Sequence, residues 1–134
     1  MVDISGKAVQ RRIARAEGLV RCGESTIRLL QEKALPKGDV LTVAKVAAIQ
    51  AAKRCDALIP MCHSLPLDAV EVDFLIEPTA VRIRASVTTT AKTGVEMEAL
   101  TAVSVAALTI YDMCKAVDKQ MVIGDIRVTE KIKE

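Results

Sequence analysis

The N-terminal third of the chain changes from an alternating to a helical pattern of apolar residues. Apolar and charged residues alternate over residues 14–22, which predicts a half-buried strand that Gly18 weakens. Apolar residues then recur at helical spacing over residues 25–33, until a proline and a glycine end the pattern. Asp39 is placed to cap a second helix over residues 40–55, which is apolar nearly all round and therefore expected to be buried on several sides.

The middle of the chain predicts a loop followed by a hairpin. Residues 58–66 contain two prolines and form too short a segment for a helix. Residues 70–76 and 81–87 each alternate apolar and polar positions, with a turn at residues 77–80. The acidic row of the first strand opposes the basic row of the second, which predicts an antiparallel hairpin with one solvated face.

The C-terminal part predicts a long helix and a last strand. Residues 92–94 break the hairpin, residues 95–117 form an Ala-rich helical segment, and residues 121–128 form a strand interrupted by Gly124. The order of elements predicts an α+β fold, a ferredoxin-like sandwich with an antiparallel sheet and helices packed on one face. A chain of 134 residues is expected to form a single domain, residues 1–134.

Composition narrows the function classes. A chain that is 51% hydrophobic and 27% charged is globular, and its 1% aromatic content disfavours a base-stacking nucleic-acid module. A net charge of +2 is too balanced for a phosphate-tracking surface, so any anion site must be local and no nucleic-acid partner is expected. We see no run of membrane-spanning length and no secretory signal, and therefore expect a cytoplasmic protein without membrane association. Four cysteines without a C-x-x-C pair favour reduced thiols.

The proline-containing loop carries the only histidine, His63, directly after Cys62. Such loops often present polar groups to a ligand, although a lone histidine can equally be a satisfied surface residue. A zinc site needs about four spaced ligands, and two adjacent residues with no second cluster are a poor start. We therefore expect no metal site.

The long predicted helix is acidic at its start and carries a charged pair at its end. Glu96 and Glu98 suit the positive end of the helix dipole, so capping alone can explain them. Asp112 and Lys115 are three residues apart, close enough for proton sharing or for a surface ion pair of little energetic weight. Residues spaced three and four apart would form one stripe along this helix, polar at both ends and suited to a symmetric contact with a second copy of the chain. They are Glu98, Thr101, Val105, Leu108, Asp112 and Lys115.

Lys37 marks a candidate anion site. It precedes Gly38 and Asp39 at a helix N-terminus, where free backbone N–H groups attract anions. The usual nucleotide-binding loops, G-x-x-x-x-G-K-S/T and G-x-G-x-x-G, are absent. On pattern alone the chain is an α+β domain that could bind an anionic small molecule.

Five blocks of sequence add a more specific indication. They are KGDV at 37–40, IQAAKR at 49–54, LIPMCH at 58–63, KTGVEMEAL at 92–100 and YDMCKAV at 111–117. In this order they closely resemble the MoaC family, the cyclic pyranopterin monophosphate synthases of molybdenum cofactor biosynthesis. The resemblance extends to residue 124. It implies a ferredoxin-like fold and a hexamer built as a trimer of dimers, with sites shared between subunits.

The resemblance also implies a reaction and its residues. A cyclised dihydro-GTP, made from GTP by a radical enzyme, would become cyclic pyranopterin monophosphate with release of pyrophosphate. Asp112 would be the catalytic acid or base, with Lys115 beside it. Substrate contacts would come from Met61, Cys62, His63, Met97 and Glu98, with Lys37, Lys53, Lys92, Glu96, Asp3 and Arg12 as further pocket positions. No resident cofactor is expected, and a need for Mg²⁺ stays open.

These residue types suit the chemistry. Opening the purine's five-membered ring and closing a new ring require positioned acids and bases, which Asp112 and Lys115 would supply. Closing a cyclic phosphate develops negative charge on the departing pyrophosphate, which Lys37 and Lys53 could stabilise. Glu96, Glu98 and His63 could hydrogen-bond the guanine edge or the ribose.

Helix length predicts how many chains build one site. Glu98 and Asp112 lie fourteen residues apart on one predicted helix, about 21 Å at 1.5 Å per residue. One substrate can touch both only if a neighbouring subunit supplies one of them. A two-fold axis near Val105, flanked by Ala102 and Ala106, would bring two such helices together, although sheet edges could supply the contact instead.

Two other classes of function stay open. One is a nucleotide-sensing ferredoxin-like oligomer without turnover, in which Asp112 and Lys115 form a structural ion pair. The other is a purely structural assembly domain. Pyrophosphate release separates an enzyme from the first, and a ligand-dependent rise in melting temperature separates a ligand-binding protein from the second.

Overall fold

The computed structural model describes all 134 residues and contains four strands and four helices. In chain order they are β1 (Gln10–Arg21), α1 (Glu24–Gln31), α2 (Val40–Lys53), α3 (Cys55–Leu58), β2 (Ala69–Glu77), β3 (Ala80–Ala91), α4 (Glu96–Cys114) and β4 (Val122–Lys133). The strands form one antiparallel sheet in the order β2-β3-β1-β4. The predicted α+β ferredoxin-like sandwich is confirmed.

The helices form a layer on one face of the sheet. α4 packs on β1, β3 and β4, and α2 packs beside α4 and over β2. Val20, Val81 and Ile83 are fully buried in the core under this layer. At Gly18 of β1, a Cβ atom would lie only 2.7 Å from Cγ1 of Val103 in α4. The glycine that weakens the strand pattern therefore allows α4 to approach the sheet closely.

The other face of the sheet is charged and solvated, as predicted. Arg82 on β3 places its guanidinium 2.8 Å from a carboxylate oxygen of Glu77 and 3.5 Å from one of Glu17. The predicted opposition of acidic and basic rows is only partly correct, because in the observed register Glu71 faces Ser86 rather than an arginine.

Several elements end at other residues than predicted. β1 starts earlier and β4 ends later, because their outer ends pair with each other, with Arg12 opposite Lys133. None of the residues in these ends is fully buried, so their pairing does not require a regular apolar alternation. The predicted helix over residues 40–55 is interrupted at Arg54, whose φ of −116° and ψ of 19° leave the helical region. The four-residue α3 follows directly.

By length and composition alone, α4 could cross a membrane, since its apolar window has a mean hydropathy of 1.3. However, 56% of that window is buried inside the protein. Burial against a sheet and a second helix is typical of the core helix of a globular protein.

The predicted stripe along α4 does not form one exposed face. Glu98 at its start is buried, whereas Leu108 is 60% exposed. Ala102 and Ala106 are fully buried within the chain. The prediction that these alanines flank a contact between two chains near Val105 is therefore wrong, because the chain's own core already covers them.

Candidate active site

The helices α2 and α4 run in opposite directions, so each end of the pair combines the start of one helix with the end of the other. Lys37, before α2, contacts Asp112 near the end of α4. Lys53, at the end of α2, lines a cavity together with Glu98 near the start of α4. These predicted site residues therefore form two groups. We call them the Asp112 cluster (Lys37, Asp112 and Lys115) and the Glu98 cluster (Lys53, Cys62, His63 and Glu98), to which the structure adds Cys55.

In the Asp112 cluster the carboxylate lies between two ammonium groups. Asp112 Oδ2 accepts a hydrogen bond from Lys37 Nζ at 2.9 Å, and Oδ1 lies 3.0 Å from Lys115 Nζ. Lys37 Nζ also donates to the Asp112 carbonyl oxygen at 3.3 Å. The ion pair that the three-residue spacing predicts is present. Lys37, expected on a phosphate, lies against Asp112 in the free chain.

The two lysines keep Asp112 ionised. Hydrogen bonds from Lys37 and then from Lys115 hold the pKa of Asp112 below its ordinary value of 3.8. Each of the three side chains is about half exposed, so solvent screens the pairs and they contribute little to stability. The cluster offers a ligand one carboxylate base and two ammonium donors that are accessible from solvent.

The turn before α2 positions Lys37. Gly38 has a φ of +104°, in the left-handed region that favours glycine. Asp39 caps α2, accepting hydrogen bonds from the Thr42 backbone N–H at 3.4 Å and from its hydroxyl at 2.8 Å. The predicted cap is therefore present, and it fixes the chain direction immediately after Lys37.

In the Glu98 cluster the carboxyl group is buried. Glu98 is only 3% exposed, and it lines a cavity of about 20 Å³ with Lys53, Asp56 and His63. No lysine or arginine forms an ion pair with it. Burial, aided by the negative charge of Glu96, raises the pKa of Glu98 above its ordinary value of 4.5. In its protonated form the group can donate a hydrogen bond as well as accept one.

Two thiols lie against Glu98. The Sγ atoms of Cys55 and Cys62 and a carboxyl oxygen of Glu98 are all within 4.8 Å of one another. Cys55 is 2% exposed, and its Sγ lies 3.5 Å from Oγ1 of Thr101. Burial raises the pKa of the Cys55 thiol to about 12. Cys62 is partly exposed, so it is the thiol that a ligand reaches more easily.

The N-terminal segment lies along the Glu98 cluster. Nε2 of His63 is 2.8 Å from the carbonyl oxygen of Val2. Because a carbonyl can only accept, Nε2 carries the hydrogen, and a neutral ring keeps Nδ1 as its acceptor. Lys92 Nζ donates to the Ser5 carbonyl at 3.3 Å, and Asp3 accepts from the Ser5 N–H at 2.8 Å. These bonds hold Asp3, His63 and Lys92 along one segment.

Three of the other predicted residues, Arg12, Glu96 and Met97, lie near the start of α4. The fourth, Met61, lies in the loop before β2. Arg12 and Glu96 line a cleft of about 240 Å³ with Lys131 and Lys133 of β4. Met97 follows Glu96 and is half-buried. Met61, in the loop before β2, is 64% exposed, and its Sδ lies 3.9 Å from the N-terminal ammonium group.

Sequence reasoning missed four residues beside these clusters. Cys55 and Thr101 are far apart in the chain, and their helical spacing indicates burial but not which side chain each one meets. Lys131 and Lys133 lie beyond the predicted end of the last strand. Their alternation around Ile132 was the available signal for a longer strand.

The two clusters do not meet within one chain. Glu98 and Asp112 are fourteen residues apart on the continuous helix α4, which separates them by about 21 Å. Each chain therefore presents two separate clusters with different chemistry, one around a buried carboxyl group and one exposed with two lysines.

A protein-family model described as the MoaC family matches residues 1–133. The chain belongs to the MoaC family. Its relatives are similar over nearly the whole length. A protein of Mycobacterium tuberculosis (strain ATCC 25618 / H37Rv) named cyclic pyranopterin monophosphate synthase 1 is 58% identical over 132 residues, 98% of this chain and 78% of that protein.

Two further relatives carry the name cyclic pyranopterin monophosphate synthase. The protein of Heliobacterium modesticaldum (strain ATCC 51547 / Ice1) is 56% identical over 133 residues, covering 98% of this chain and 84% of the relative. The protein of Desulfitobacterium hafniense (strain DSM 10664 / DCB-2) is 54% identical over 132 residues, covering 98% of this chain and 81% of the relative.

The five MoaC-like sequence blocks divide between the two clusters. KGDV and YDMCKAV supply the Asp112 cluster at one end of the helix pair. IQAAKR and LIPMCH, together with KTGVEMEAL, supply the Glu98 cluster at the other end. Blocks that are distant in a MoaC sequence thus become neighbours because α2 and α4 pack side by side.

Proposed function

We propose that this chain is a cyclic pyranopterin monophosphate synthase, which converts a cyclised dihydro-GTP to cyclic pyranopterin monophosphate with release of pyrophosphate in molybdenum cofactor biosynthesis. The observation that carries this proposal is the identity of 58% to a synthase of that name across 98% of the chain. The chemistry of the two clusters supports it, because each supplies groups that one half of such a reaction needs.

The Asp112 cluster is assigned the proton transfers. Opening the five-membered ring and closing the pterin ring move protons on and off nitrogen and oxygen. Asp112, held ionised by two lysines, accepts a proton, and Lys115 donates one. Both groups are exposed, so a substrate can reach them without unfolding the helix end.

The phosphate step needs cations rather than a base alone. A sugar hydroxyl attacks the α-phosphorus, a new P–O bond forms, and the bond to pyrophosphate breaks with negative charge on the leaving group. We assign Lys37 and Lys53 to this charge. Lys37 must then leave Asp112 in part when phosphate arrives, since its ammonium group lies on that carboxylate in the free chain.

The Glu98 cluster is assigned the guanine-derived ring and the ribose. A buried carboxyl group that can donate and accept hydrogen bonds suits an edge with both N–H and carbonyl groups. His63, with Nε2 held by the Val2 carbonyl, presents Nδ1 as an acceptor. Met61, Cys62 and Met97 supply apolar and thiol contact beside it, and Asp3, Arg12, Lys92 and Glu96 complete the surroundings.

The separation of the clusters favours a shared site. A second copy lying antiparallel along the α2–α4 pair would place the Asp112 cluster of one chain near the Glu98 cluster of the other. Apolar residues suited to such a contact are exposed on these helices: Val43 and Val46 on α2, Leu108 and Tyr111 on α4. We extend this to the hexamer of three dimers that the family resemblance implies.

The cellular setting follows from the reaction. The substrate requires a radical enzyme acting on GTP as the preceding step, and the site takes a small molecule rather than a nucleic acid or a membrane. We place the protein in the cytoplasm, without a resident cofactor. Assays with and without a chelator decide whether Mg²⁺ assists the pyrophosphate leaving group.

The proposal is tested by pyrophosphate release from the purified chain and the cyclised GTP derivative, with no other protein present. We expect turnover in the wild type and a loss of about 100-fold or more in Lys115→Ala, because a positioned proton donor contributes at least that much. Lys119→Ala, an exposed lysine in the turn after α4, is the matched control and should retain activity.

Binding of the substrate without pyrophosphate release would contradict the synthase proposal and indicate a sensing module. Full activity in Lys115→Ala would leave the enzyme in place but remove Lys115 from its mechanism.

A further inference from the structure

The groove between α3, the following loop and the start of α4 holds a thiol, that of Cys55, which the proposed reaction does not use. Cys55, at the start of α3, is not among the residues that the family resemblance assigns to substrate. Yet its Sγ lies within 4.8 Å of both Cys62 Sγ and a carboxyl oxygen of Glu98. Two sulfur donors and one oxygen donor thus converge from three separate segments.

The geometry is close to that of a metal site. Two Zn–S bonds of about 2.3 Å at a tetrahedral angle separate the sulfurs by about 3.8 Å. Donor atoms within 4.8 Å of one another therefore need to close by about 1 Å or less. Cys62 lies in the loop before β2, between α3 and the strand, and can supply this movement without disturbing a helix.

The buried carboxyl group is an independent indication of a cation. Glu98 is 3% exposed, lines the small cavity beside Cys55, and has no lysine or arginine as an ion-pair partner. Lys53 also lines the cavity, but it is exposed and can turn toward solvent. A buried carboxylate without a counter-charge is costly, and a divalent cation removes that cost.

We propose that Cys55, Cys62 and Glu98 form a binding site for one thiophilic divalent cation of the Zn²⁺ class. Thiolates select such ions over Mg²⁺ and Ca²⁺, which prefer oxygen ligands alone. Three protein ligands leave a fourth position for solvent. On binding, the protons of the two thiols pass to solvent.

The site overlaps the position assigned to the substrate, so metal and substrate exclude each other. This consequence rests on the proposed function, because it requires Cys62 and Glu98 to contact substrate. The metal site itself does not. In a bound state Cys62 is drawn toward Cys55, and Glu98 is no longer available to the guanine-derived ring.

Titration with Co²⁺ tests the site. The full chain, kept reduced with a phosphine and free of oxygen, is titrated while thiolate-to-cobalt charge-transfer absorption is recorded. We expect this absorption to saturate at one Co²⁺ per chain and to disappear when Zn²⁺ is added. Cys55→Ser preserves a hydroxyl partner for Thr101, and Cys62→Ser changes only a loop position. Each should weaken Co²⁺ binding by about tenfold or more.

Cys22→Ser is the matched control, since Cys22 is also buried but lies outside the donor set. It should keep the wild-type absorption. Absence of thiolate-to-cobalt absorption in the wild type, or its full retention in both Cys55→Ser and Cys62→Ser, overturns the metal site.

Turnover measured in the same samples separates this result from the proposed function. A wild type that releases pyrophosphate but shows no charge-transfer absorption refutes only the metal site. A wild type that binds Co²⁺ through its thiols but releases no pyrophosphate refutes only the synthase proposal. With both present, Zn²⁺ should raise the apparent KM; an unchanged KM refutes the overlap of the two sites.

Discussion

Glu98 is the one acidic or basic side chain that the fold buries. A carboxyl group that is 3% exposed and lacks a cationic partner is a burden on the fold at neutral pH. The negative charges of Glu96 and Asp56 add to the effect of burial, and both raise the pKa of Glu98 further. We interpret this unfavourable burial of Glu98 as an indication that its carboxyl group binds a ligand.

The free energy of unfolding should report this burden through its dependence on pH. The folded-state pKa of Glu98 lies above its ordinary value of 4.5, so the folded chain binds this proton more tightly than the unfolded chain. The free energy of unfolding therefore falls as the pH rises from 4.5 to the folded-state pKa, and the loss is complete above that pKa. Each unit of upward shift corresponds to about 1.4 kcal/mol.

Glu98→Gln should remove this loss. We expect the variant to be more stable than the wild type at pH 7, with little difference near pH 4. Its turnover should fall because the carboxyl group is gone. Urea unfolding at several pH values measures the first effect, with the exposed Glu71→Gln as control. A variant less stable than the wild type at pH 7 would contradict this account.

The interactions of single side chains were predictable from the sequence where the two partners are close in the chain. The Asp112–Lys115 pair and the Asp39 cap each span three residues, so helix geometry alone indicates them. Lys37 on Asp112 spans seventy-five residues, and Cys55 against Glu98 depends on how α3 meets α4. Contacts between residues that are distant in the chain depend on how the helices and strands pack. The spacing of nearby residues does not reveal this packing.

At the scale of elements, the contact between β1 and α4 at Gly18 leaves no room for a side chain. The space at Gly18 is filled by Cγ1 of Val103, which is itself fully buried and cannot turn away. Ile126 closes the same space from β4, with its Cγ1 3.0 Å from a Cβ placed at Gly18. A side chain here would push α4 away from the sheet.

Gly18→Ala should therefore destabilise the fold. Overpacking of a filled core typically costs about 1–3 kcal/mol. A thermal or urea unfolding measurement checks the loss, and Gly6→Ala serves as control because a Cβ at Gly6 meets nothing within 4 Å. Equal stability of the two variants would show that α4 can shift without cost, and would remove Gly18 as the reason for the close approach.

Most strands and helices were predictable because the apolar residues in each of them repeat with a single period. The hairpin and α4 follow periods of two and about 3.6, and their bounds differ little from the prediction. The outer ends of β1 and β4 were missed because no residue in them is fully buried, so burial imposes no strict alternation there. The break at Arg54 was missed because apolar residues continue across it.

At the scale of the whole molecule, the two clusters lie at opposite ends of one helix pair, and the proposed function requires that two chains combine them. A mixture of inactive Glu98→Ala and inactive Asp112→Ala should therefore regain activity after subunit exchange. Half of randomly formed dimers are mixed and each has one intact site of two, so about a quarter of wild-type activity is expected. Pyrophosphate release measures the recovery.

The matched control pairs two variants of the same cluster. In a mixture of Asp112→Ala and Lys115→Ala, every Asp112 cluster remains damaged, so no activity should return. Recovery in this control would mean that Asp112 and Lys115 do not serve the same site. No recovery in the first mixture despite proven exchange would mean that one chain builds a site by itself.

The continuous helix α4 also constrains which changes in chain length the protein can accept. One residue inserted in the middle of α4 rotates everything beyond it by about 100° and moves it by about 1.5 Å. Because both clusters depend on this helix, such an insertion would shift the Asp112 cluster relative to the Glu98 cluster in every chain. An insertion within residues 119–121, after both clusters, leaves this spacing unchanged. With the proposed shared site, the length of α4 is therefore constrained by a substrate that no single α4 spans.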